Sequence, residues 1–199
     1  MGTFASLVPG ALLADRYLLD SCFLTGRSGQ VWRGTDVVLA RTGSPPFFVT
    51  EYVDGSPLAE LIARGPMPPA LVMNIWAQTA RALHAAHSAG LVHRGIKPGN
   101  MLIGRDGRVK ITNFGAESEP QYRAPELAEG KAGTVAGDLY ALGIIVRQCL
   151  AGTAGDNRGN PAPFPEDVPS QVCSLAVRLT DPDPARRPAD AAAASRAPC

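Results

Sequence analysis

Near the middle of the chain, several side chains have types and spacing that could handle a phosphate. They lie in "LVHRGIKPGNMLIGRDGRVKITNFG", Leu91 to Gly115, which carries His93, Arg94, Lys97, Asn100 and Asn113. A lysine ammonium can pair with a phosphate, and an amide oxygen can ligate a hard cation while bringing no charge. Phosphoryl transfer also asks for two carboxylates, one to accept a proton and one to hold metal. The stretch reads like such a site with both swapped out: Gly95 stands where the base is expected and Asn113 where a metal ligand is expected.

The elements that must position these residues are legible in outline. "RYLLDSCFL" (16–24) has β-type content, and "QVWRGT" (30–35) can pair back onto it across the small-residue segment "TGRSG". "VVLAR" (37–41) and "FFVTEYV" (47–53) are further strand candidates around the turn "TGSPP". Ser56 is expected to cap a short helix with Pro57 at its first position and Gly65 at its end. A longer helix runs from Ala70 to about Ser88, with Val72, Ile75, Trp76, Thr79, Leu83 and Ala86 on one buried face. "RVKIT" is a short strand after the turn "RDG". Residues 137–150 form an apolar, central helix, Ser170 caps "QVCSLAVRLT", and "PADAAAASRA" is a weak last helix.

Composition excludes several classes. Of 199 residues, 45% are hydrophobic and 19% charged, with a formal net charge of +1, an ordinary globular balance. Such a charge steers the chain to neither nucleic acid nor an anionic membrane. The apolar runs are too short to span a bilayer, and the N-terminus lacks the pattern of a secretory signal. Gly2 and Ser6 fit only the loose myristoylation pattern. The four cysteines are far apart, as expected of free thiols in a reducing cytoplasm. His84 and His87, three positions apart, are read as structural rather than metal-binding.

Over nearly its whole length the chain resembles the eukaryotic-type Ser/Thr protein kinases, in the form found in bacteria. The motif order carries the resemblance: "RYLL…LTGRSGQVW", "FFVTEYVDGSPLAELI", "ALHAAHSAGLVHRGIKPGNMLI", "KITNFG", "YRAPE", "GDLYALGIIV" and "DPDPARRP". The resemblance implies an α+β, bilobal kinase-like fold. A reduced β lobe would occupy residues 1–53 and a mainly helical lobe residues 54–199. Only ten residues separate Asp36 from Phe47, too few for a third strand, a helix and a fourth strand, so the regulatory αC helix is expected to be absent.

The resemblance also assigns site residues. Gly26 and Gly29 match two glycines of the phosphate-covering loop and Val31 the valine over the base, while Leu24 replaces the first glycine. Glu51 to Val53 would supply hinge backbone, and Leu102 an apolar contact for an adenine. Lys97 matches the lysine that contacts the transferred phosphate, Asn100 a magnesium ligand, and Asn113 replaces the metal-binding aspartate. No lysine precedes Lys97, so the lysine of the third strand is missing; Arg41 is a solvated turn residue or its stand-in. Gly95 replaces the catalytic aspartate, and loss of a general base alone costs ~10²–10⁴ in rate. Only "AESEPQYR" separates Gly115 from Ala124, a short activation segment in which Ser118 is an exposed loop serine that could accept phosphate.

The scaffold positions are kept. His93 and Arg94 match the catalytic-loop motif, Glu126 and Arg187 the partners of a buried ion pair, and Asp138 the residue that holds the catalytic-loop backbone. Bracing without chemistry points to a minimal pseudokinase in the cytoplasm, a protein-binding scaffold or regulatory module with no metal site and no required cofactor. Its partner would be another protein or a second copy, joined through the small sheet that the missing helix leaves uncovered. The alternative is a nucleotide-binding switch with weak ATP and Mg²⁺ affinity, or an enzyme of altered phosphoryl-transfer chemistry using Lys97, Asn100 and Asn113.

Overall fold

The computed structural model describes residues 7–13, 17–26, 29–36, 50–116, 118–127, 132–152 and 163–191. It divides into two units, Met1–Tyr52 and Val53–Cys199. Arg41, the strand candidate 37–41, Gly2, Ser6 and most of the expected last helix lie outside the described residues.

In the first unit, β1 (Leu12–Leu13), β2 (Tyr17–Gly26) and β3 (Gly29–Asp36) form an antiparallel sheet in that order. β2 and β3 are a hairpin closed by the pair Gly26 and Gly29, with register shifts between Leu19 and Ser21 and between Cys22 and Leu24. Such irregularities twist a strand locally. Leu12 and Leu18 are register partners and both are exposed, whereas Leu19, on the other face, is buried.

The second unit holds a second antiparallel sheet, β4 (Gly55–Pro57), β5 (Met101–Gly104) and β6 (Val109–Ile111). This corrects the reading of Ser56 as a helix cap. Ser56 pairs with Ile103 in the sheet, and helix α1 (Leu58–Ile62) starts after Pro57 without a side-chain cap. The β5–β6 turn is fixed by Gly107 at φ 76° and by Asp106, whose carboxylate accepts from Arg108 N at 3.0 Å. Gln78 ties this turn to a helix: its Nε2 donates to Gly107 O at 2.9 Å and its Oε1 accepts from Val109 N at 3.0 Å.

Three longer helices supply most of the core, joined by Leu58 and Ile62 of α1. α2 (Pro69–Ser88) follows Pro68 and buries Val72, Ile75, Trp76, Thr79, Ala80 and Leu83. The buried Thr79 hydroxyl is satisfied by Ile75 O at 2.8 Å. α3 (Val135–Ala151) starts two residues earlier than the sequence reading, because Thr134 is its N-cap and accepts from Gly137 N. It ends at Gly152 in the left-handed conformation. α4 (Ser170–Leu179) is preceded by Pro169; Ser170 is its first residue and caps nothing. The backbone of α3 approaches α4 at Gly143, where a β-carbon would stand 2.6 Å from Leu179 Cβ. Leu83, Leu139, Leu142, Ile145, Leu150 and Leu179 are nearly inaccessible to solvent and pack in one cluster.

Candidate functional site

The second unit gathers His93, Arg94, Gly95, Lys97, Asn100, Leu102, Asn113, Glu126, Asp138 and Arg187, while Gly26, Gly29, Val31 and Glu51 belong to the first. Val53 opens the second unit, in backbone without regular structure. Leu102 lies in β5 and pairs with Lys110.

The backbone of His93 and Arg94 hangs on α3. Asp138, buried at the start of that helix, accepts from His93 N at 2.8 Å and Arg94 N at 2.9 Å. Arg94 has φ 70°, a left-handed conformation that costs a non-glycine residue energy and persists only when its surroundings hold it. The Asp138 carboxylate supplies that hold. His87 is a third donor, its Nε2 reaching Asp138 Oδ2 at 2.8 Å. A carboxylate only accepts, so the His87 proton is on Nε2.

His93 is fully buried. Its Nε2 donates to Thr112 O at 2.9 Å, and its Nδ1 accepts from Gly95 N at 3.2 Å. Burial pushes its pKa below the usual histidine value, with the Thr112 carbonyl pulling the other way. It is a neutral strut. The Phe114 ring leans on it at 4.4 Å between centroids.

Further bonds zip the segment after β6 to the loop. Thr112 N donates to Asn100 O at 2.9 Å and Gly115 N to His93 O at 3.0 Å. Asn100, itself buried, donates from Nδ2 to Gly95 O at 2.8 Å and accepts at Oδ1 from Asn113 Nδ2 at 2.9 Å. Asn113 adopts φ 62°, a region asparagine tolerates better than most residues.

The segment after Asn113 then passes directly over Gly95. A β-carbon on Gly95 would stand 2.7 Å from Ala116 O and 3.1 Å from Ala116 Cβ. The position lacks a proton acceptor and also lacks the space for one. Farther along, Glu119 takes the lysine: Lys97 Nζ lies 2.6 Å from Glu119 Oε1. Arg123 Nη2 holds the same segment by donating to Ser118 O at 2.7 Å.

Below the site, Arg187 is a saturated brace. Its guanidinium meets Glu126 through two bonds, 2.6 and 2.8 Å, and also donates to Asp181 O, Ala136 O and Pro182 O. Its side chain is wholly buried and stacks over Tyr140 at 4.9 Å. The buried thiol of Cys149 is pushed up to about 12 by desolvation, so it is no nucleophile.

A loop braced by a helix aspartate, a buried Arg–Glu pair and a two-stranded hairpin followed by an Asn-Phe-Gly segment mark the helical lobe of a kinase-like fold. The protein kinase domain profile matches residues 37–196, and the chain belongs to that family. It is 37% identical over 179 positions to the serine/threonine-protein kinase drp72 of Corynebacterium efficiens, covering 76% of this chain and 34% of that protein. It is 31% identical over 271 positions to the serine/threonine-protein kinase PknA of Mycobacterium tuberculosis, covering 94% of this chain and 63% of that one. The chain thus spans between a third and two thirds of these relatives' length. The PknA alignment of 271 positions against 94% of 199 residues leaves more than 80 positions with no counterpart here. In fold, it is similar to the Mycobacterium tuberculosis PknI kinase domain, with a TM-score of 0.80 at 22% identity over 96% of this chain and 98% of that one.

The family's chemistry runs through Mg²⁺, and the donor set here does not suit it. The Asn100 oxygen already accepts from an N–H of Asn113, so a donor faces it where a cation would need further oxygens. Among the described residues, no group of three or more His, Cys, Asp or Glu side chains is placed to hold a metal. No helix among them is long and apolar enough to cross a membrane.

The contacts that sequence reasoning missed are His87 to Asp138, Lys97 to Glu119, and Asn113 to Asn100. The first joins residues 51 positions apart. The other two join residues 22 and 13 positions apart.

Proposed function

We propose that this chain is a non-catalytic member of the protein kinase family, a pseudokinase acting as a protein-binding scaffold or regulatory module. The observation that carries the reading is the approach of Ala116 to Gly95, which leaves no volume for the catalytic carboxylate. The Lys97–Glu119 ion pair supports it, since the lysine expected to meet a phosphate already has a counter-ion. The retained braces fit a chain kept for its shape. A protein partner, or a second copy, would bind the exposed Leu12–Leu18 pair of the small sheet, because exposed apolar strand faces tend to find cover.

A thermal-shift titration with ATP, with and without Mg²⁺, tests the reading. No shift at millimolar nucleotide is the expected result. A Mg²⁺-dependent shift abolished by Asn100→Ala would favour a nucleotide-binding switch instead.

A further inference from the structure

We propose that a pair of hydrogen-bonded amides has replaced the divalent cation as the cross-link between the catalytic loop and the segment after β6. This rests on the reading of the site as non-catalytic, but its test does not use turnover.

The orientation of both amides follows from one backbone carbonyl. Gly95 O can only accept, so the group of Asn100 that faces it at 2.8 Å is the NH₂. That turns Asn100 Oδ1 toward Asn113, 2.9 Å away, and Asn113 must answer with its own NH₂. The chain Asn113 NH₂ to Asn100 CO, then Asn100 NH₂ to Gly95 CO, leaves no freedom to flip either amide. Asn100 is buried, so a flip would leave polar groups unpaired as well as opposed.

A metal-ligating pair would present two oxygens to one point, with the cation between them. Here an N–H fills that place and carries the partial positive charge that the ion would bring. An aspartate at 113 would present only acceptors to Asn100 Oδ1, and two oxygens at that distance repel unless a cation lies between them. Asparagine at 113 therefore makes the bridge self-sufficient. Aspartate tolerates the left-handed backbone of position 113 about as well as asparagine does, so the exchange tests the side chain rather than the turn.

The test compares melting temperatures of wild type, Asn113→Asp and Asn113→Ala in EDTA and in millimolar Mg²⁺ or Mn²⁺. Wild type is expected to melt at the same temperature in all three. N113D should melt about 2–4 °C lower in EDTA and recover with either ion, while N113A stays low throughout. Stabilisation of wild type by the ions overturns the proposal. So does an N113D that is as stable as wild type in EDTA, or one that stays low with metal. If N113D does not fold, Mn²⁺ titration of wild type by NMR decides. Selective broadening of the Asn100 and Asn113 side-chain amides overturns the proposal, and its absence supports it.

Discussion

Gly95 and Ala116 approach so closely that a β-carbon on the first would sit 2.7 Å from the carbonyl oxygen of the second. Distances this short are not met by real β-carbons, and the obstacle is backbone rather than a flexible side chain. The backbone after Asn113 therefore occupies the space that a side chain at position 95 would need. An aspartate placed at 95 meets this backbone unless the segment moves.

Gly95→Asp should lower stability by roughly 1–3 kcal/mol, the usual cost of forcing atoms into packed space. Gly95→Ala should do much the same, since the β-carbon alone makes the clash. Chemical denaturation measures both. An Ala variant as stable as wild type would show that residues 113–116 yield easily.

Glu119→Gln should leave folding nearly unchanged, because partly exposed ion pairs contribute about 0–1 kcal/mol. It should also free the Lys97 ammonium. Pyrophosphate is then expected to bind weakly to the variant and not detectably to wild type, as read by chemical-shift changes near Lys97. Equal silence from both proteins would mean that Glu119 does not guard the lysine.

Asp138→Ala strands two backbone N–H groups and the His87 ring, at a cost of about 3 kcal/mol or more. Hydrogen exchange should speed up at His93 and Arg94 first, since those amides lose their acceptor. Glu126→Ala leaves the buried Arg187 charge without its carboxylate and should cost ~3–5 kcal/mol. A loss below 1 kcal/mol in either variant would remove that residue from the list of braces.

The buried His93 gives a pH dependence of definite sign. Its folded pKa is lowered from 6.5, so in the window from that lowered value up to about 6.5 the unfolded chain binds the extra proton. Stability therefore rises with pH through this window and levels off above it. His93→Gln should remove that component, which melting curves from pH 5 to 7.5 compare directly. An unchanged slope would mean that His93 titrates normally in the folded chain.

Local patterns made much of the fold readable. The hairpin over 17–36, the apolar face of α2 and the apolar α3 follow from periodicity and turn residues within a dozen positions. Helix starts were less legible. Ser56 and Ser170 are good capping residues by type, yet a sheet partner claimed the first, and Pro169 precedes a helix in which the second is already the opening residue. Thr134, which does cap α3, stands amid residues without periodic signal. The site was legible as substitutions and illegible as contacts. Sequence shows a glycine at 95 and an asparagine at 113, but not that Ala116 lies against the first or that Asn113 turns its NH₂ on Asn100. Those depend on where the backbone after β6 runs, which only the folded chain decides.

Whether this kinase-family chain transfers phosphate is decided by a transfer assay with γ-labelled ATP. It would use Mg²⁺ or Mn²⁺, a generic protein substrate and the chain itself as acceptor, with Lys97→Ala and Asn100→Ala in parallel. No label above the protein-free control is expected from any of the three proteins. Incorporation by wild type that either substitution abolishes would contradict it.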